Sequence, residues 1–264
     1  MGGKKFWRIG LLGLALLLLI AAIIYADTPR EPCYQGRTLT QWIDSAPSRM
    51  YNHFGPLPSA PPDPWEVATN AMQQMGPDAL WWLVKWSGTH DSKLQTTVVK
   101  WLISHTPFRP NFTAPSTKRR RALAGFELLG ANGARATAAL IKKTRDWDPK
   151  ARVCALECLE KIEAPHETLF PVCFRLMDDP DSYVRAKASW CENDLEMAMT
   201  LRTDVKDRQA FLSPLLRWIN DPDPSVQQHS AKLLHFYFPQ EAEKAGVYRK
   251  FPELRNARTA VNTF

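Results

Sequence analysis

The chain has 264 residues and a formal net charge of +7, long enough for one or two domains and only moderately basic. Its 12 glycines and 21 prolines exclude a collagen-like or low-complexity chain, so a packed core is expected. It contains neither a Gly-rich phosphate loop nor a strand-rich segment.

Residues 1–8 carry Lys4, Lys5 and Arg8 and read as a cytoplasmic tail. Residues 9–26 contain no charge. At about 1.5 Å per residue they span most of a bilayer core of about 30 Å. Trp7 and Tyr25 flank the run, where amphipathic aromatics anchor at the interface. The basic N-terminal flank places the N-terminus in the cytoplasm and the rest of the chain outside. A cleaved signal peptide is the rival reading, but Ile24-Tyr25-Ala26 makes a poor small-x-small site. Residues 27–63 are Pro-rich and read as a linker stiffened toward extended conformations. Within them the spacing of Leu39, Trp42 and Ile43 predicts one short helix over Thr38–Ser45, suited to covering the raw end of the fold that follows.

From residue 64 to 249 the pattern is helical. A helix is predicted over 65–75, stopped by Gly76, and another over 77–86, apolar nearly all round. A helix over 92–104 is expected to pair with the latter through Leu94, Val98, Trp101 and Leu102. Trp82 and Trp86, four apart, are either an aromatic shelf or core. Asn111-Phe112-Thr113, in a Pro-rich loop, is a formal glycosylation triplet. The next helix spans 116–129 and ends at Gly130. Apolar helices follow over 134–144, 169–177 and 211–219, with an insertion around 192–207. Pro239 opens a last short helix, and residues 250–264 read as a frayed polar tail.

Each of those three apolar helices is followed by a recurring stretch. Aligned on Asp148, Asp181 and Asp223, the copies carry a small apolar residue three positions on (Ala151, Val184, Val226). Next comes Arg152, Arg185 or Gln227, and three further on a small residue (Ala155, Ala188, Ser230). Weaker copies begin at Asp91 and at Thr117, the latter putting Arg120 in the apolar slot and Arg121 in the arginine slot. The aligned Asp suits a helix N-cap, and Pro149 and Pro224 suit the first helical position, where the missing N–H was unpaired anyway. The unit is therefore helix, Asp-rich turn, helix. One such pair cannot bury both its apolar faces, so neighbours must stack on it.

The Asp-Pro turn, the Val184-Arg185 pair and the following Ala188 make residues 65–237 resemble the HEAT-repeat family, in the form of a membrane-anchored bacterial-type protein. The resemblance implies an all-α fold, an α-solenoid of stacked helix pairs after an N-terminal transmembrane helix. It also implies a ladder in which the turn acids Asp146, Asp179 and Asp221 meet Arg152 and Arg185, with Gln227 departing from the pattern. The second helix of each pair would face the concave side. Some HEAT-like proteins are enzymes, but no local motif here carries such chemistry.

The five cysteines (Cys33, Cys154, Cys158, Cys173, Cys191) read as buried thiols, since repeat-equivalent Cys158 and Cys191 would stand about 8–10 Å apart and a disulfide needs less than about 7 Å. The six histidines show no ligand spacing, and no catalytic residue, metal or cofactor is expected. A binding surface is expected on the stripe beside the core stripe of each second helix. It runs Lys93, Thr97, Lys100; Arg119, Leu123, Phe126; Lys150, Cys154, Glu157; Tyr183, Lys187, Trp190; Ser225, His229, Lys232. From it Lys93, Lys100, Arg119, Lys150, Tyr183, Lys187, Trp190 and Lys232 are the candidate partner-binding residues. A cationic groove with aromatics selects a protein or peptide, acidic by charge complementarity. The expected function is a membrane-anchored exported scaffold or adaptor. A polyanion-binding module is the alternative, and nucleic acid is not the expected partner of an exported domain.

Overall fold

The computed structural model of the chain describes residues 30–46, 63–91, 97, 99–101, 104–105, 113–190 and 205–255. The expected tail 1–8 and anchor 9–26, Lys93, the glycosylation triplet's Asn111 and Phe112, Cys191, residues 192–204 of the expected insertion and residues 256–264 lie outside these. Among the described residues no helix is long and apolar enough to cross a membrane.

The described chain is mostly helical, as the all-α expectation requires. It opens with something the sequence reading missed. Strands β1 (Cys33–Tyr34) and β2 (Arg37–Thr38) pair antiparallel across Gln35 and Gly36, whose φ angles of 48° and 75° suit a hairpin turn with two left-handed residues. Residues 30–46 are therefore folded, not tether. Helix α1 (Leu39–Ser45) follows, held at its start by a reciprocal capping box between Thr38 and Gln41. It buries Leu39, Trp42 and Ile43 and contacts α2 (Pro64–Met75) and α4 (Pro115–Leu129).

Helix α3 (Pro77–Ser87) packs along α4; a short 3-10 segment (Gly130–Ala136) leads into α5 (Thr137–Lys143), which packs on α6 (Pro149–Lys161). Helix α7 (His166–Leu176) packs on α8 (Ser182–Ser189), and α9 (Val205–Trp218) on α10 (Pro224–Tyr237). Across these pairs α4, α6, α8 and α10 contact one another in sequence order. Short helices α11 (Pro239–Lys244) and α12 (Val247–Lys250) close the far end. Gly125 lets α4 approach α3 and α1 closely: a Cβ there would stand 2.4 Å from Leu83 Cδ2 and 3.2 Å from Ile43 Cδ1.

The turns explain the stacking. In each of the three clear copies the first acid accepts the N–H of the second: Asp146 from Asp148 at 3.1 Å, Asp179 from Asp181 at 2.9 Å, Asp221 from Asp223 at 2.8 Å. The second acid caps the helix, accepting from Lys150, Tyr183 or Ser225 at 2.9–3.0 Å. The helix arginine then reaches both ways. Arg152 donates to the carbonyls of Asp146 (2.8 Å) and Trp147 (3.0 Å) in its own turn, and to Asp179 Oδ1 (2.6 Å) in the next. Arg185 repeats this with the carbonyl of Asp179 (2.9 Å) and both carboxylate oxygens of Asp221 (2.7 and 3.0 Å). Gln227 keeps only the contact to its own turn, the Asp221 carbonyl.

A second set of contacts runs the opposite way along the first helices. Arg175, in the last turn of α7, donates to Thr144 Oγ1 at 2.7 Å at the end of α5. Arg217 does the same for α9, meeting Asp178 at 2.7 Å, and Lys250 meets the Ile219 carbonyl at 2.8 Å. Thr144 and Ile219 lie where a helix C-terminus leaves carbonyls without intrahelical partners and a negative dipole end.

Three expectations shift. The register of α4 is two residues earlier than its weak copy implied: Arg119 and Ala122, both buried, stand as Arg152 and Ala155 do in α6, so Arg119 and not Arg121 fills the arginine slot. Trp101, expected to pack on α3, is 55% exposed, while Leu94, Val98 and Leu102 lie outside the described residues; α3 lies against α4. On α3 itself Trp86 is core; the exposed ring is Trp81, edge-on to half-buried Trp82, with Lys85 Nζ 4.7 Å and 4.6 Å from the two centroids.

The Arg152–Asp179 pair has side chains 10% and 7% exposed, so removing one partner leaves a charge out of water. We predict that Asp179→Ala costs about 3–5 kcal/mol in urea unfolding. Lys161→Ala, which breaks the exposed Lys161–Glu127 pair, should cost under about 1 kcal/mol. Equal effects would show that the buried pair has no special weight.

Candidate functional site

The first turns of α4, α6 and α8 lie side by side. Between them runs a groove of about 380 Å³, lined by Ser116, Arg119, Arg120 and Leu123 of α4, Lys150, Val153, Cys154 and Glu157 of α6, and Tyr183 of α8. The repeat builds it. Asp148 and Asp181 cap the starts of α6 and α8, and α4 begins with Pro115 at its first position.

Six of the expected stripe residues line this groove: Arg119, Leu123, Lys150, Cys154, Glu157 and Tyr183. Their exposure differs from residue to residue. Arg119 is 8% exposed, its guanidinium held by the Thr89 carbonyl and by Asp91 at 3.3 Å. Phe126 and Cys154 are buried, the first because α4 is two residues out of the expected register, the second because its thiol sits under α4, 3.7 Å from the Arg119 carbonyl. Lys150 is exposed and meets Asp91 at 2.6 Å. Lys187 meets Glu157 at 2.9 Å and lies 5.4 Å from the ring of exposed Trp190. Tyr183 is exposed. Lys100 and Thr97 are exposed between α3 and α4, and half-buried Lys232, Ser225 and His229 belong to α10; none of these lines the groove. His229 Nδ1 lies 2.8 Å from the Ser225 carbonyl.

Arg120 was the residue missed. It is exposed, lines the groove and forms no ion pair with a described residue. It lies in the run Lys118-Arg119-Arg120-Arg121 and matches Val153 of α6, a groove position that the expected stripe does not include. Its neighbour Arg121 points the other way, to Asp44 at 2.6 and 3.0 Å.

The local electrostatics favour fixed charge. The hydrogen bond from Lys150, with Arg119 nearby, holds the Asp91 carboxyl below its usual value in spite of some burial. Burial works against the Asp146 carboxylate, but the Asp148 N–H and the His90 ring, 2.7 Å away, outweigh it and hold that carboxyl low as well. The hydrogen bond to Glu157 raises Lys187. Burial, reinforced by Cys154, pushes the Cys158 thiol well up, so it stays protonated at the floor of the stack. Among the described residues no three His, Cys, Asp or Glu side chains are grouped to hold a metal.

Asp91 and Asp146 are both depressed from the ordinary 3.8. Their contribution to stability is therefore complete above that value and is lost as the pH falls through the lower folded value. We predict that wild type loses stability steeply below about pH 4 and that Asp146→Asn flattens that limb. An unchanged slope in an acid titration followed by circular dichroism would refute the assignment.

No family model matches the chain, and no curated protein matches it.

Proposed function

We propose that the chain is a HEAT-like α-solenoid, anchored to a membrane by residues 9–26, that acts as a scaffold or adaptor by holding a protein or peptide partner. The observation that carries this reading is the groove across α4, α6 and α8, where a half-buried Leu123 is flanked by Arg120, Lys150 and the exposed ring of Tyr183. An apolar strip edged by cations and an aromatic suits an extended acidic segment, which gains apolar contact along its length and charge attraction at its edges. The solenoid reading is supported by the repeated two-acid turn and by the arginines that join one turn to the next. The anchor reading is supported by the absence of charge over residues 9–26 and by Lys4, Lys5 and Arg8 before it, which place the repeats on the extracytoplasmic side.

A polyanion reading is favoured by one observation, the cationic charge of Arg120 that no described residue neutralises. Salt separates the two, since polyanion binding falls steeply with ionic strength while a peptide held partly by apolar contact falls less.

With the detergent-purified chain and fluorescent peptides of four Glu and two Phe, we predict binding that Arg120→Glu with Lys150→Glu weakens about tenfold. It should retain most of its strength at 0.3 M salt, about twice physiological ionic strength. Binding that the double variant leaves unchanged would remove the groove from the function. For the membrane side, protease added outside spheroplasts should digest the repeats, and full protection would refute the topology.

A further inference from the structure

The groove does not end at Leu123. A second cavity, about 350 Å³, shares Arg120 and Leu123 with it and continues along α4 past Ala124 to Glu127 and Leu128. A third, about 680 Å³, shares Trp65, Glu127 and Leu128 with the second and runs on to Glu66, Glu160 and Glu163. All three follow one stripe of α4, residues 120, 123, 124, 127 and 128, which share a helix face.

Charge reverses along this path. Arg119, Arg120 and Lys150 stand at the N-terminal ends of α4 and α6. At their C-terminal ends stand Glu127, Glu160 and Glu163, with Glu66 of α2 among them. This order opposes what helix stability asks for, because acids belong at the N-terminus and bases at the C-terminus. Helix α4 has no acid in its first turn and no base in its last. In α4 the aligned peptide dipoles therefore strengthen both poles, while Lys161 in the last turn of α6 and Glu66 in the first turn of α2 follow the usual order. Part of the charge is neutralised inside the protein: Asp91 meets Arg119 at 3.3 Å and Lys150 at 2.6 Å, Lys161 meets Glu127 at 2.8 Å and Arg121 meets Asp44 at 2.6 Å. Arg120 at one pole and Glu66 and Glu163 at the other are exposed and form no ion pair with a described residue.

The geometry points to a peptide segment with segregated charge as the occupant: acidic residues over Arg120 and Lys150, an apolar residue over Leu123 and Ala124, basic residues over Glu66 and Glu163. This rests on the peptide-binding reading above and narrows it. Seven residues of helix separate Arg120 from Glu127, about 10 Å, a span of about three residues in an extended peptide. The two charged blocks should thus be separated by about three to five residues. A uniform polyanion fits one pole and is repelled by the other.

The test uses the full chain in detergent and three fluorescent peptides with capped ends, read by anisotropy. One has four Glu, a Leu-Phe-Leu spacer and four Lys; the second has the same composition with Glu and Lys interleaved; the third has four Glu and two Phe. The segregated peptide should bind about tenfold more tightly than the interleaved one, the effect of two or three exposed charge pairs. Arg120→Glu with Lys150→Glu should abolish that preference. Adding Glu66→Lys and Glu163→Lys inverts both poles and should restore it, because the same peptide then binds end for end. That recovery separates lost complementarity from lost folding. Equal binding of the segregated and interleaved peptides, or no recovery in the fourfold variant, overturns the two-pole occupant. If the third peptide still binds and is lost in the double variant, the groove stands without its polarity. If none of the three binds, both readings fall.

Discussion

Asp179 serves two helices at once. Its carboxylate holds the N–H of Asp181, shaping the turn from which α8 starts, and it receives Arg152 from α6. Neither partner could be dropped alone, since a guanidinium or carboxylate so far from water must be paired. One carboxylate oxygen thus joins α6 to the start of α8. The turn is rigid because it is pinned from within, and the next helix pair is placed because the same oxygen is pinned from outside. Arg185 and Asp221 repeat the arrangement with two parallel hydrogen bonds. The counter-running contacts of Arg175, Arg217 and Lys250 hold the first helices from the other side. The junctions reached by Arg175 and Arg217 are each tied at two places, and rotation of one pair on the next is resisted there by polar contacts as well as by core packing.

This economy decides where the surface is free. The arginines and first acids of the ladder are consumed in the joints, and so is Arg119. What remains available on the second helices is the neighbouring stripe, which the joints do not need. Lys150 and Tyr183 stand there because Asp148 and Asp181 have already capped the starts of α6 and α8, and Arg120 stands beside them on α4. Fold and groove thus draw on different residues of the same short motif.

How far the sequence revealed this depended on how local each interaction was. The caps at Asp148, Asp181 and Asp223 and the prolines after two of them were legible, because cap, acceptor and helix start lie within four residues. The inter-turn arginines were reached through a family resemblance, and the observed Arg152–Asp179 and Arg185–Asp221 contacts agree with that expectation. The counter-running set was not legible: a basic residue in a last turn is common, and nothing in the sequence names Thr144 as the partner of Arg175. The hairpin at residues 33–38 was missed because two-residue strands leave no periodicity; Gly36 was its one sign. On α6 and α8 the expected stripe meets the groove at Lys150, Cys154, Glu157 and Tyr183. On α4 the expected stripe is two residues out of register, so Phe126 falls on the buried face with Leu159 of α6, and Arg120, which matches Val153, lies outside the stripe in either register.

The α4 error has an instructive cause. Arg152 takes the Asp146 carbonyl six residues back, whereas Arg119 takes the Thr89 carbonyl thirty residues back. In one junction the turn and the helix it serves are adjacent in sequence; in the other the chain departs after Asp91 and returns at Pro115. The arginine recognises where a carbonyl lies in space and is indifferent to how the chain reached it. A fold joined in this way has ready-made points of growth. New sequence can enter between a turn and its helix while the joint stays closed behind it, so the length of the protein and the spacing of its layers are free to evolve separately.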